Sequence, residues 1–251
     1  MIITDPLFYL IAAPVVLLTG ISKTGIPGLF GGVAVPLLSL VVSPLQAAAI
    51  MLPVLCFIDL FGLRAFWGVY DRRNMPILLA GLAIGLLVGA LVFGVVRQDV
   101  VRLVIGGIAI AFSLNNLIGW ARNRPPSKPA WLPGVFWSSV SGLTSFLAHA
   151  GSAPIMAYLL PLRLDKRVYT GTMVWFFFAS NYAKIITYAF LGQLDASNLL
   201  TALVLLPLVP LGVWLGVYIQ GKVNDRVFYQ ISYWGLLAIG VKLVYDGLTQ
   251  L

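Results

Sequence analysis

Three stretches of the chain hold residues whose types and spacing suit the binding of a small anion or the movement of a proton. The first reads Gly20-Ile21-Ser22-Lys23-Thr24-Gly25-Ile26-Pro27-Gly28-Leu29-Phe30-Gly31-Gly32-Val33-Ala34-Val35-Pro36. Its glycines free the backbone to turn N–H groups toward a ligand, and Lys23 sets a cation beside them. Lys23, Thr24, Gly25, Gly28, Gly31 and Gly32 are the anion contacts expected here. The competing reading is that the same glycines only let helices pack closely. A nucleotide P-loop is excluded, because the order Gly-x4-Gly-Lys-Ser/Thr is absent and no strand precedes the stretch.

The second stretch, Gly142-Leu143-Thr144-Ser145-Phe146-Leu147-Ala148-His149-Ala150-Gly151-Ser152-Ala153-Pro154, contains the single His of the chain, four residues after Ser145. On a helix the two share a face. Imidazole titrates near neutral pH, so Ser145, His149, Gly151 and Ser152 suit an anion or proton site. The alternative is a Ser/His hydrolytic pair. Against it stand the lack of a nearby orienting acid and of an oxyanion hole. No His/Asp/Glu cluster suits a metal, and no cofactor is expected.

The third group consists of polar side chains inside apolar runs. Asp59 lies near the middle of such a run, where a buried charge is expensive. A lone acid at that depth faces a cavity, pairs with a cation or carries a proton, which makes Asp59, with His149, the candidate for proton coupling. The rival is a loose structural pair with Arg64, five residues on. Asn181 and Lys184 stand three residues apart on one helical face and are candidate substrate contacts. For Lys184, snorkelling to the interface is the alternative.

The elements that hold these residues must be membrane helices. Of the 251 residues 60% are apolar or aromatic and only 10% charged, against roughly 45–50% and about 25% in soluble domains. A water-soluble fold is excluded. The net charge is +8, and all eight acids are Asp, with no Glu. A basic balance suits nucleic acid, but the cations sit in short gaps between apolar runs of membrane length, so the partner is the lipid bilayer and no nucleic acid. The buried-looking Cys56 cannot form an internal disulfide. The first five residues carry no cation, so the N-terminus is expected to remain on the mature protein.

Pro, Gly and charge divide the apolar runs into two sets. The first is Pro6–Ser22, Leu29–Val42, Leu45–Val69, Met75–Val96 and Val100–Trp120. The second is Trp131–Ala148, Ala153–Leu162, Val168–Leu191, Leu199–Ile219 and Phe228–Tyr245. Residues 1–251 form a single transmembrane domain: repeat one at about 6–120, a polar linker at 121–130, and repeat two at about 131–247. Shared landmarks suggest an internal duplication: Pro36 with Pro154, Asp59 with Asn181, and Val96-Arg97-Gln98-Asp99 with Val223-Asn224-Asp225-Arg226.

An odd number of segments per half inverts the second half. One set of connectors holds ten cations, Arg72, Arg73, Arg122, Arg124, Lys128, Arg163, Lys166, Arg167, Lys222 and Arg226, while the opposite set holds Arg97 and Arg102. The rich side is assigned to the cytoplasm, which puts both termini outside the cell membrane. The short runs at both tips predict broken or re-entrant helices. Non-helical backbone at membrane depth survives only against protein or a wet cavity.

The tip Gly25-x2-Gly28-x2-Gly31-Gly32-x3-Pro36-Leu37-Leu38, with the Pro/Gln/Ala-rich start of the next helix, resembles the sulfite exporter TauE/SafE family of small bacterial membrane transporters. Thr144-Ser145-Phe146, His149-Ala150-Gly151, Tyr158-Leu159-Leu160-Pro161 and Asn181 with Lys184 resemble a branch that carries a His in its second tip. Ser152 and Ala153 stand where that branch more often has Gly and Pro. The resemblance implies an inner-membrane exporter or permease for small sulfur-containing anions such as sulfite or sulfonates, with two repeats and about eight counted helices. The expected fold is thus an all-α integral membrane protein of two inverted repeats, and the expected function is secondary transport of a small anion by alternating access. A homodimer is compatible with this reading. The alternatives from other classes are an intramembrane hydrolase using Ser145 and His149, and a non-transporting membrane scaffold.

Overall fold

The computed structural model describes residues 3–28, 34–92, 98–118, 125–148, 150–190 and 195–249. The described residues are all helical or connecting. In order they form α1 (Pro6–Thr24), α2 (Ala34–Leu38), α3 (Pro44–Ala65), α4 (Asn74–Leu91), α5 (Gln98–Leu117), α6 (Trp131–Ala148) and α7 (Ser152–Leu159), the last continued by a 3-10 turn at Leu160–Leu162. Then come α8 (Lys166–Phe190), α9 (Ala196–Leu205), α10 (Leu208–Lys222) and α11 (Asp225–Thr249). Five of these are long and apolar enough to cross a membrane, or six if the bent pair α9 and α10 is taken as one span. The protein is a multi-span all-α bundle.

Polar residues are placed where helix ends need them. Asp5 accepts from the Leu7 N–H at 2.9 Å and precedes Pro6; Ser43 accepts from the Gln46 N–H and precedes Pro44; Asp195 accepts from the Asn198 N–H at 2.7 Å. Asp71, Asp165 and Asn224 likewise take up N–H groups at the starts of α4, α8 and α11. A side-chain cap satisfies a donor that the helix leaves without a partner. Asp5, Asp71, Asp165 and Asp195 are thereby accounted for as caps, and Asp246 pairs with Lys242, whereas Asp59 lies inside α3 and needs another explanation.

Lipid tails give no hydrophobic drive for helix association, so close packing of small residues must supply it. Three seams do so. Gly81, Gly85 and Gly89 of α4 meet Ser138, Ser139, Gly142 and Phe146 of α6; Gly106 of α5 meets Gly240 of α11; and Gly20 and Gly25 of α1 meet Gly212 and Gly216 of α10. A Cβ at Gly20 would lie 3.0 Å from the Gly212 carbonyl carbon, and one at Gly25 would lie 2.9 Å from the Gly216 oxygen. The helices α3 and α8 cross at the centre and close the set. Gly85→Val is expected to destabilise the protein by about 1–3 kcal/mol through overpacking against Ser139. Gly107→Ala, with nothing within 4 Å of the added carbon, should leave the thermal midpoint in detergent unchanged. Equal midpoints for both variants would contradict the seam.

Hydrogen bonds tie described connectors to one another and to neighbouring helix ends. The Asp71 N–H bonds to Thr172 Oγ1 at 2.9 Å, the Ser127 N–H to the Pro161 carbonyl at 2.9 Å, and the Lys166 ammonium to the carbonyls of Gln220, at 2.9 Å, and Val223. Tyr158, whose hydroxyl donates to Asn74 Oδ1 at 2.6 Å, joins the start of α4 to α7.

The run Leu199–Ile219 is not one straight helix: α9 and α10 meet at a 49° bend around Leu206 and Pro207. Proline has no N–H and its ring clashes with the carbonyl four residues back, so the chain changes to i→i−3 bonds, from the Leu206 N–H to Leu203 and from the Val209 N–H to Leu206. The short helices α2 and α7 fit the expectation of broken segments. Eight residues of helix cover about 12 Å of a roughly 30 Å core.

Candidate functional site

The site is assembled from helix faces that come into register where α1, α3, α6, α7 and α8 meet. Thr19, Ser22 and Lys23 lie on one face at the end of α1, at the spacing of one turn. On α8, Val174, Phe177, Asn181 and Lys184 form a similar stripe. These two faces, with Gly28, Ala34, Val35, Leu55, Ser145 and Ser152, enclose a cavity of about 100 Å³. A single water needs about 10–15 Å³ by this kind of measure, so a small oxyanion or several waters fit.

Charge is concentrated at this cavity. The Lys23 ammonium makes an ion pair with Asp59 of α3 and lies 5.4 Å from the centre of the Phe177 ring. The other oxygen of Asp59 accepts from Asn181 Nδ2 at 2.6 Å. Asp59 is 1% exposed and stands behind Lys23 and Asn181, outside the cavity lining. Lys184, 2% exposed, donates to Ser145 Oγ at 2.9 Å, and Ser145 Oγ lies 3.5 Å from Ser180 Oγ. Among the described residues Lys184 has no carboxylate partner. Ser152, at the first turn of α7, presents a buried Oγ with no hydrogen-bond partner among the described residues. Two ammonium groups against one carboxylate leave the ionised cluster one positive charge in excess.

The backbone supports this arrangement at two glycines. Gly28 adopts φ +99, a left-handed conformation open to glycine, and a side chain there would run into Met156. Gly151 accepts a hydrogen bond from Ser141 Oγ at 2.6 Å, and its Cα rests so close to Ser145 that an added Cβ would sit 2.7 Å from the Ser145 Cβ. That contact holds the start of α7 against α6.

The sulfite exporter TauE/SafE family profile matches residues 12–243, nearly the whole chain. The chain belongs to the sulfite exporter TauE/SafE family. No curated protein and no solved structure matches it. TauE/SafE proteins are transporters, so this chain is not an enzyme, which removes the hydrolytic alternative built on Ser145 and His149.

In this TauE/SafE protein Lys23, Gly28, Ser145, Ser152, Asn181 and Lys184 line one cavity. Thr24 and Gly25 do not. Thr24 Oγ1 is spent on the carbonyls of Gly20, at 2.9 Å, and Val213, at 3.1 Å, while the Gly25 N–H bonds back to Ile21 at 2.7 Å and its Cα faces Gly216. Both residues serve the α1–α10 seam. Gly31, Gly32 and His149 lie outside the described residues. The rival pair of Asp59 with Arg64 is replaced by a pair between helices, and the snorkelling alternative for Lys184 does not hold. Arg64 is exposed, and Asp59 takes Lys23 as its partner; Lys184 does not snorkel but turns inward to Ser145.

Thr19, Ser22 and Phe177 were not anticipated as lining residues. The helical period offered a signal for each: Thr19 lies one turn before Lys23, and Phe177 one turn before Asn181. Among the described residues no group of three His, Cys or Asp side chains comes together to hold a metal.

Proposed function

We propose that this protein is a secondary transporter that carries a small sulfur oxyanion, sulfite or a sulfonate, by alternating access through the cavity at Lys23 and Lys184. The observation that carries the reading is Lys184, an ammonium buried in a cavity wall whose bonding partner among the described residues is Ser145, through its hydroxyl and its carbonyl. A buried cation without a counter-charge is costly unless a ligand supplies one. An oxyanion beside Lys184 would accept from Lys184, Ser145 and the Ser152 hydroxyl. The family's description names sulfite, and the cavity volume suits an anion of that size.

Asp59 fits the role of proton carrier. Its carboxylate and an incoming anion compete for the Lys23 ammonium, so a proton on Asp59 releases Lys23 to the anion, while Asn181 holds the protonated acid in place. Anion and proton would then bind together and leave together.

The alternating movement is assigned to two inverted repeats, 6–120 and 131–247. The pattern of helix pairs supports this: exchanging the halves turns the pair α1 with α10 into α6 with α4, and returns α3 with α8 and α5 with α11 to themselves. The cation-rich connectors favour their cytoplasmic assignment, with both termini outside.

The test is flux of labelled sulfite, with sulfonates and carboxylates as competitors, in proteoliposomes with and without an imposed pH gradient. Saturable sulfite flux, inhibited by sulfonates and driven by the gradient, is expected. Flux that ignores the gradient would remove Asp59 from the coupling role. Folded protein that moves none of these anions would overturn the transport reading.

A further inference from the structure

A second hollow, of about 490 Å³, lies apart from the transport cavity and shares no lining residue with it. It opens between the end of α5, the turn before α8 and the first turns of α11. Arg163 and Arg226 face it from two different elements, with Asn116, Tyr229, Gln230 and Tyr233 between them. Among the described lining residues the charged side chains are Arg163, Arg226 and Asp225.

Both arginines are carried on ordered backbone. Arg163 sits at φ 46 after the 3-10 turn, the sole non-glycine residue among those described with positive φ, and its N–H bonds to the Leu160 carbonyl at 3.2 Å. The neighbouring Leu164 carbonyl accepts from the Tyr229 hydroxyl at 2.5 Å, which ties this turn to α11. Lys166 holds the end of α10 and thereby the start of α11 that bears Arg226. Guanidinium groups suit phosphate, since their planar N–H forks match its oxygens two at a time.

The rim of the hollow points to a lipid. Leu114, one helical turn before the lining residue Leu117, Trp234, one turn after the lining residue Gln230, and Ile118, which follows Leu117, are all exposed. Tyrosines at the mouth suit the headgroup level of a bilayer. Basic pockets between spans on the cytoplasmic side are suited to anionic headgroups.

We propose that this pocket is a second anion site, which takes a phosphate group between Arg163 and Arg226, and that an anionic phospholipid supplies it, with acyl chains along Leu114, Ile118 and Trp234. The site is independent of the transport reading, and either can fail without the other.

Native mass spectrometry of the full chain tests it, with dioleoylphosphatidylglycerol, dioleoylphosphatidylcholine and inorganic phosphate as probes. The expected result is preferential retention of phosphatidylglycerol, weakened about fivefold per arginine and about 25-fold in R163Q/R226Q. The charge-matched R72Q/R73Q, outside the pocket, should keep the preference. Should R163Q/R226Q not yield folded protein, R226Q alone is expected to lose about fivefold. Phosphate binding with the same arginine dependence but no phospholipid preference would support the anion site with a soluble occupant. Equal loss in R72Q/R73Q, or no loss in the pocket variants, would overturn the proposal.

Discussion

Lys23→Met and Asp59→Leu are each expected to destabilise the protein by about 3–5 kcal/mol, whereas the double variant Lys23→Met/Asp59→Leu should fold about as well as the parent. Each single change strands the other charge in a protein interior. Among the described residues, without Lys23 the carboxylate of Asp59 keeps the Asn181 amide, and without Asp59 the ammonium keeps the Phe177 ring. Removing both charges removes the desolvation cost with the attraction, and apolar groups of similar volume fill the gap. Unfolding in detergent, run as a double-mutant cycle, measures the coupling. Additive losses would mean that the two side chains do not stabilise each other. Restored folding should not restore transport, because the double variant lacks both the anion's cation and the acid that carries the proton.

Lys184→Met is expected to separate stability from function in the opposite sense. Met is close in length and carries no charge, so the variant should melt at or above the parent's midpoint, since a buried ammonium held by the hydroxyl and carbonyl of Ser145, with no carboxylate partner among the described residues, is expensive. Anion flux should fall on the order of 100-fold, the equivalent of about 3 kcal/mol for deleting a desolvated cation opposite a charged ligand. Flux and thermal midpoint measured on the same preparation check both halves. Undiminished flux would take Lys184 out of the binding site, and a large drop in midpoint would make its role structural.

Much of the architecture could be read from apolar length and charge, because spans must be long and the chain marks their ends with capping Asp and Asn. The site was readable as a set of residues but not as a set of bonds. Asp59, Asn181 and Lys184 stand out as polar groups inside apolar runs, Lys23 as the cation of a glycine-rich tip and Ser145 by its spacing to His149. Their partners depend on which helix lies against which, and that is decided by seams such as Gly20 and Gly212, where the informative atom is a missing Cβ. Hydropathy does not register a missing Cβ. Thr24 and Gly25 show the same limit from the other side: their neighbours in the chain suggest an anion cradle, while their neighbours in space are α10 carbonyls. The bend at Pro207 was hidden for a different reason, since the run around it is apolar throughout and its length alone reads as one span.

That bend gives the two sides of the cavity different mechanical characters. α6, which brings Ser145, is locked along α4, an unbroken helix of 18 residues. α1, which brings Lys23, is interlocked at Gly20 and Gly25 with α10, and α10 meets α9 at the proline joint. A displacement of α10 about that joint must carry α1 and its terminal ammonium with it, because the backbones are too close to slide independently. In the alternating access proposed above, the α1 side would be the jaw and the α6 side the anvil, with the ion pair of Lys23 and Asp59 as the catch between them.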